Sequence, residues 1–153
     1  VLALADSPVA WVDAVGAPVL GGKVDIANAR ISFESGCVAT ITASRVSHKT
    51  ERSVRIYQDQ SYTVADLNHN QIYSYQLQGD VSALGLQAVK SETRSVAVED
   101  SLANEINEFL NCVEHRRQPV VGAKDGIEAV RVAELINANI AERSRAAGAA
   151  SKP

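Results

Sequence analysis

The segment Val24 to Ser47, VDIANARISFESGCVATITASRVS, constrains this chain more than any other, because it reads as a long two-stranded hairpin. In its first arm Ala27, Ala29, Ile31 and Phe33 alternate with Asn28, Arg30, Ser32 and Glu34, the period of a strand with one buried face. Ser35-Gly36 is expected as a two-residue turn, which sets Phe33 opposite Val38, Ile31 opposite Thr40 and Ala29 opposite Thr42. In that register the other face gathers Asn28, Arg30 and Ser32 beside Cys37, Ala39, Ile41 and Ala43. This mixture is too apolar for water, so the sheet is expected to be covered on both sides. Another domain, a second copy of the chain or a ligand in a cleft would each serve, and the residues alone do not choose.

Around the hairpin, Val9 to Gly16 reads as a short strand carrying Trp11, and Ala17 to Gly22 as a connector with Pro18 and Gly21-Gly22. After a polar loop from His48 to Arg52, Val54 and Ile56 mark a third strand of the meander, Tyr62 and Val64 a fourth, and Ile72 to Leu77 a fifth. Gln58-Asp59-Gln60 and Asn68-His69-Asn70 are the turns between them. Gly79 to Gly85 is expected as loop and Leu86 to Val98 as a last strand.

The period then changes. Leu102, Ile106, Phe109, Leu110 and Val113 recur at helical spacing on a helix from about Ser101 to Arg117, capped by Asp100 or Ser101, with the stripe expected to be buried against the sheet. At about 1.5 to 3 kcal/mol for each large apolar side chain buried, that stripe outweighs surface ion pairs worth under about 1 kcal/mol. A second helix is expected from Asp125, with Asp125 and Glu128 as a capping box and a stripe of Ala129, Val132, Ala133, Ile136 and Ile140. The whole is an α+β domain over residues 1–143, a mainly antiparallel open sheet with helices packed on one face. Residues 144–153, without an apolar period, are expected as a disordered tail. Val1-Leu2-Ala3-Leu4-Ala5 before Asp6-Ser7-Pro8 reads as the last turns of a helix, residues 1–6, whose start lies upstream.

Charge and cysteine usage narrow the function. A net charge of -3 without a Lys/Arg cluster argues against nucleic acid or an acidic membrane as partner. No apolar run reaches transmembrane length. Cys37 and Cys112 are far apart and belong to no CxxC pair, which argues against a disulfide framework or a zinc site and fits a reducing cytoplasm. No GxGxxG fingerprint occurs, and Gly122 to Gly126, GAKDG, is too short for a phosphate-binding P-loop. It leads into a helix, whose free N-terminus can hold an anion or simply be capped. His48, His69 and His115 belong to no triad or ligand pattern, and the carboxylates show no acid–base pairing. No catalytic or metal-ligating residue is therefore assigned.

The polar residues of interest sit at the far end of the hairpin: Ser44, Arg45, Ser47 and Arg52 are the candidate substrate contacts. Alternation puts Arg45 on the face of Ile41 and Ala43, where its guanidinium either forms a structural ion pair with a neighbouring strand or meets an anionic ligand such as a phosphate.

The runs VDIANARISFESGCVATITASRVS, ERSVRIYQDQSYTVAD and DSLANEINEFLNCVEHRRQPVVGAKDGIEAVRVAELINANI, in this order, resemble the C-terminal domain of the Gfo/Idh/MocA family, oxidoreductases related to glucose-fructose oxidoreductase and inositol dehydrogenase. Nearly the whole chain is covered, and the last run is the most specific part. Within the family, NARISFESGCVATITASRVS looks most like sugar-nucleotide oxidoreductases acting on UDP-N-acetylglucosamine-type substrates. The resemblance implies a dihydrodipicolinate-reductase-like C-terminal domain that completes a sugar-substrate pocket and forms a homo-oligomer, dimer or tetramer, through the open sheet face. It also implies a separate N-terminal domain that binds NAD or NADP and carries a catalytic Lys, and a His on the helix leading into this domain. None of these matches a residue here, so no catalytic role transfers, and this chain alone is expected to be inactive. A different class stays open: a non-enzymatic dimerisation or small-ligand-binding module.

Overall fold

Alternating residues build strands through the first two-thirds of the chain, and the helical period takes over near residue 100. The structure is a computed structural model describing residues 1–150. In chain order its elements are α1 (Leu2–Ala5), β1 (Val9–Ala17), β2 (Ile26–Phe33), β3 (Val38–Ser44), β4 (Ser53–Gln58), β5 (Ser61–Asp66), β6 (Gln71–Leu77), α2 (Val81–Leu84), a 3-10 turn (Gly85–Ala88), β7 (Val89–Ser95), α3 (Ser101–Glu114) and α4 (Ala123–Ala150). The expected antiparallel meander is present but divided between a three-stranded sheet, β1-β2-β3, and a four-stranded sheet, β4-β5-β6-β7. The chain forms two units, Val1–His48 with Arg117–Pro153 and Lys49–Arg116.

In the first unit the hairpin closes through three residues, not the expected two. Gly36 N–H donates to the Phe33 carbonyl and Phe33 N–H to the Cys37 carbonyl, both at 2.9 Å, around the loop Glu34-Ser35-Gly36. Gly36 sits at φ 86°, the left-handed position that follows a type I turn in three-residue hairpins. A two-residue type I′ turn requires positive φ at both central residues, which Ser35 adopts only with strain. The register consequently pairs Ser32 with Val38, Ile31 with Ala39 and Ala29 with Ile41.

That one-residue difference exchanges the faces of β3. Ala39 and Ile41 pack with Ile31, Phe33 and Val132 inside the chain's own core, while Val38 turns outward and is 47% exposed. The outer face carries Asn28, Arg30, Thr40 and Thr42, with Thr42 Oγ1 donating to Asn28 Oδ1 at 2.8 Å. The expected greasy second face is therefore absent: Ala39 and Ile41 are covered from within, and Cys37 and Ala43 are exposed.

The inner face packs on α4 through Val132, Ile136 and Ile140, while the expected stripe members Ala129 and Ala133 are exposed. Asn139 covers the free edge of β1, its Oδ1 accepting from Ala14 N–H at 2.7 Å and its Nδ2 donating to the Val12 carbonyl at 3.4 Å. An edge strand so occupied offers less unpaired backbone to other chains. Helix α4 starts at Ala123 rather than Asp125. Asp125 instead reaches back to accept from Gly122 N–H at 2.7 Å, the return half of a capping box, and Glu128 pairs with Arg131 at 2.8 Å. The helix continues to Ala150, beyond the start of the expected tail, as alanine's high helix propensity allows. Residues 151–153 lie outside the described residues.

Gly16 is the tightest point of this packing. A Cβ there would stand 2.7 Å from Val24 Cγ1 and 3.0 Å from Ile140 Cδ1. Gly16→Val is expected to cost about 1–3 kcal/mol by overpacking, measured as a lower chemical-denaturation midpoint with an unchanged slope.

In the second unit β4 to β7 form an antiparallel meander, its turns completed by Gln60 and Asn70 in the left-handed region at φ 56° and 52°. Tyr57, Tyr62 and Tyr75 stack across three strands, with ring centroids 4.8 and 5.7 Å apart. The last strand begins at Val89 because Leu86 to Ala88 are taken up by the 3-10 turn. Asp100 caps α3, its Oδ1 accepting from Leu102 and Ala103 N–H at 3.0 Å each. The α3 stripe is not buried as expected. Leu102, Ile106, Phe109, Leu110 and Val113 are 51–65% exposed, while Cys112, three positions after Phe109, is buried. Helical period fixes which residues share a stripe, and leaves open what covers it.

Candidate functional site

The corrected register places Asp25 and Arg45 at the open end of the hairpin, one residue beyond the Ile26–Ser44 pair. Arg45 N–H donates to the Asp25 carbonyl at 3.0 Å, and Arg45 Nε donates to Asp25 Oδ1. Asp25 Oδ2 accepts from the backbone N–H groups of Val19 and Leu20, at 2.7 Å each, and Asp25 N–H donates to the Ala17 carbonyl at 2.9 Å. One carboxylate thus ties the β1–β2 loop to the end of β3. Its side chain is 0% exposed, whereas that of Arg45 is 58% exposed.

The Leu20 and Val19 N–H groups, with the Arg45 guanidinium, hold the Asp25 carboxyl below the ordinary carboxylate range against the opposing effect of burial. A carboxyl depressed in the folded state adds stability that is full above its unfolded pKa, near about 3.9, and is lost as pH falls through the folded value. Acidification below about pH 4 is therefore expected to lower the unfolding midpoint more steeply in the wild type than in Asp25→Asn. Denaturant melts at stepped pH check this. Parallel curves would contradict it. Asp66, lowered first by its hydrogen bond from His69, and Asp80, lowered first by Ser82, titrate in both proteins and cancel in the comparison.

Of the other sequence-predicted contacts, Ser44 and Ser47 meet each other, Ser47 Oγ donating to Ser44 Oγ at 2.8 Å, and Val46 N–H donates to Ser44 Oγ at 3.3 Å. They fix the turn that follows β3. Arg52 is exposed in the second unit, its carbonyl accepting from Leu67 N–H at 2.8 Å. The residue that sequence reasoning missed is Asp25. In the two-residue-turn register Arg45 falls opposite Ile26, so the carboxylate one position away goes unnoticed.

His69 and His115 have local partners. His69 Nδ1 pairs with Asp66 Oδ2 at 2.9 Å, and His115 Nδ1 with the Asn111 carbonyl at 3.0 Å. Among the described residues no group of three or more His, Cys, Asp or Glu side chains converges as a metal site, and no helix is long and apolar enough to cross a membrane. An open groove of about 580 Å³ runs along the first turns of α4, lined by Ala123, Gly126, Ile127, Val130, Arg131 and Glu134, and includes none of the four predicted contacts.

Comparison with known proteins agrees with the architecture. Residues 7–147 match the model of an oxidoreductase family, C-terminal alpha/beta domain. The chain is 35% identical over 121 residues to the UDP-N-acetylglucosamine 3-dehydrogenase of Acidithiobacillus ferrooxidans, covering 79% of this chain and 37% of that protein. A solved structure of UDP-N-acetylglucosamine 3-dehydrogenase from the same organism superposes with a TM-score of 0.83 at 29% identity, over 91% of this chain and 44% of that one. Aldose-aldose oxidoreductase from Caulobacter crescentus shares the fold, with a TM-score of 0.72 at 19% identity over 92% of this chain and 42% of that one. The chain thus spans less than half the length of the relatives it matches.

Proposed function

Because the chain belongs to the Gfo/Idh/MocA oxidoreductase family, as a C-terminal alpha/beta domain, we propose that it is the substrate-binding and oligomerisation domain of a cytoplasmic NAD(P)-dependent oxidoreductase acting on a sugar nucleotide. The observation that carries the substrate class is the 35% identity over 121 residues to a UDP-N-acetylglucosamine 3-dehydrogenase. In the first unit Arg45 supplies a guanidinium group suited to a phosphate, and Ser44 and Ser47 supply hydroxyls suited to sugar or phosphate oxygens.

The residues present do not fit the nicotinamide dinucleotide itself. Its fingerprint needs a glycine-rich turn from a parallel strand into a helix. Among the described residues every strand pairing is antiparallel, α3 follows β7 through the glycine-free segment Val96 to Asp100, and α4 follows another helix. Cofactor binding and hydride transfer therefore belong, in this reading, to a nucleotide-binding domain outside this chain.

Self-association draws its support from two exposed apolar surfaces. Trp11 and Val15, both on β1, lie on the outer face of the three-stranded sheet, and the α3 stripe lies uncovered. The hairpin's second face, once the ground for expecting a neighbour, no longer contributes.

The test is kinetic. The natural gene product, incubated with UDP-N-acetylglucosamine and either NAD or NADP, is expected to oxidise one ring hydroxyl to a ketone while reduced nicotinamide accumulates. Its elution and light scattering should report a dimer or larger. No turnover with either dinucleotide on any UDP-sugar would overturn the substrate class, and a monomer at high micromolar concentration would overturn the oligomeric role.

A further inference from the structure

We propose that Asp25 is a positioning residue for Arg45: by engaging Nε it turns the Nη1/Nη2 edge of the guanidinium outward, toward the phosphates of a nucleoside diphosphate. The inference rests on the reading of Arg45 as a substrate contact and adds to it the residue through which that contact works.

The two partners are held unequally. Asp25 is fully enclosed and anchored by the Val19 and Leu20 N–H groups independently of Arg45, and its own backbone is paired on both sides, to Ala17 and to Arg45. Arg45 is more than half exposed, and among the described residues neither Nη takes an acceptor. The fixed group therefore orients the mobile one. An arginine whose Nε is occupied by a carboxylate keeps two parallel N–H bonds at its end-on edge, the geometry that matches phosphate oxygens bidentately. The orientation also lowers the entropy lost when the long side chain meets a ligand, since fewer rotamers remain to be frozen.

Equilibrium titration of the natural gene product with uridine diphosphate tests this. The wild type is expected to bind, and Arg45→Ala to lose about tenfold or more in affinity, the loss of a charge-assisted contact. Asp25→Asn should lose a similar factor, and in the Arg45→Ala background it should add nothing, since it acts only through the arginine. Arg45→Lys, which keeps the charge but not the fork, should fall with Arg45→Ala. Wild-type affinity in Asp25→Asn or in Arg45→Lys would overturn the proposal while leaving the substrate reading intact. So would additive losses in the double variant. Should Asp25→Asn fail to fold, the Arg45→Lys comparison still decides. A wild type that ignores uridine diphosphate, or an Arg45→Ala that binds normally, would sink the substrate reading of Arg45 and the proposal with it.

Discussion

Replacing Ile31 with alanine is expected to lower the free energy of unfolding by about 2–5 kcal/mol, the range for truncating a large core aliphatic. Ile31 is 0% exposed and forms one buried cluster with Phe33 on the same strand and Val132 on α4, against which α1, β1, β3 and Ile136 of α4 pack. Sheet and helices that meet at one cluster cannot all close on the space a truncated member leaves. The upper part of the range is therefore expected. Urea melts followed by far-ultraviolet circular dichroism measure it, and a loss under about 1 kcal/mol would show that the site collapses or that Ile31 is not central.

Ile41→Asp is expected to cost about 3–5 kcal/mol, adding a lost apolar burial of about 1.5–3 kcal/mol to the penalty for an unpaired polar group facing the core. Val38→Asp, three residues earlier on the same strand, should stay within about 0.5 kcal/mol, as outward substitutions do. The pair of variants reads the hairpin register directly. In the observed register Ile41 faces Val132 and the helix side, and Val38 faces outward with Ser32. Under a two-residue turn the face assignments of β3 would exchange, and so would the two costs. Melting both proteins under one set of conditions decides the matter: a stable Ile41→Asp beside an unfolded Val38→Asp would refute the pairing.

Most element positions were legible because they depend on local chemistry. The strands around Trp11, Val54, Tyr62 and Ile72, the turns at Gln60 and Asn70, and the Asp100 cap all fall where the residues put them. The Asp125 cap was misplaced because an acidic residue serves equally at the first position of a helix or, as here, three residues in, reaching back to Gly122. Asn139 gave no signal at all. A polar residue on a helix reads as solvated until the free edge of β1 is known to lie against it.

The candidate site was half legible for the same reason. Arg45 stood out as a charge sharing a face with Ile41 and Ala43, and both of its readings were open. Its partner was invisible. Asp25 comes opposite Arg45 only when the loop holds three residues, so an error of one at Gly36 concealed a carboxylate twenty positions away in sequence.

By itself the sequence determined which of the longer segments are strands and which are helices, and which family the chain resembles, while the short α2, the 3-10 turn and the last turns of α4 escaped it. These follow from periodicity, capping and turn residues, each of which acts within a few positions along the chain. Only the tertiary structure decided which face of β3 looks inward, that Asp25 meets Arg45, and that the apolar stripe of α3 lies open. A period of two guarantees that a strand has two faces, but which one meets the core depends on the loop that sets the register. A period of 3.6 likewise gathers a stripe without supplying its cover.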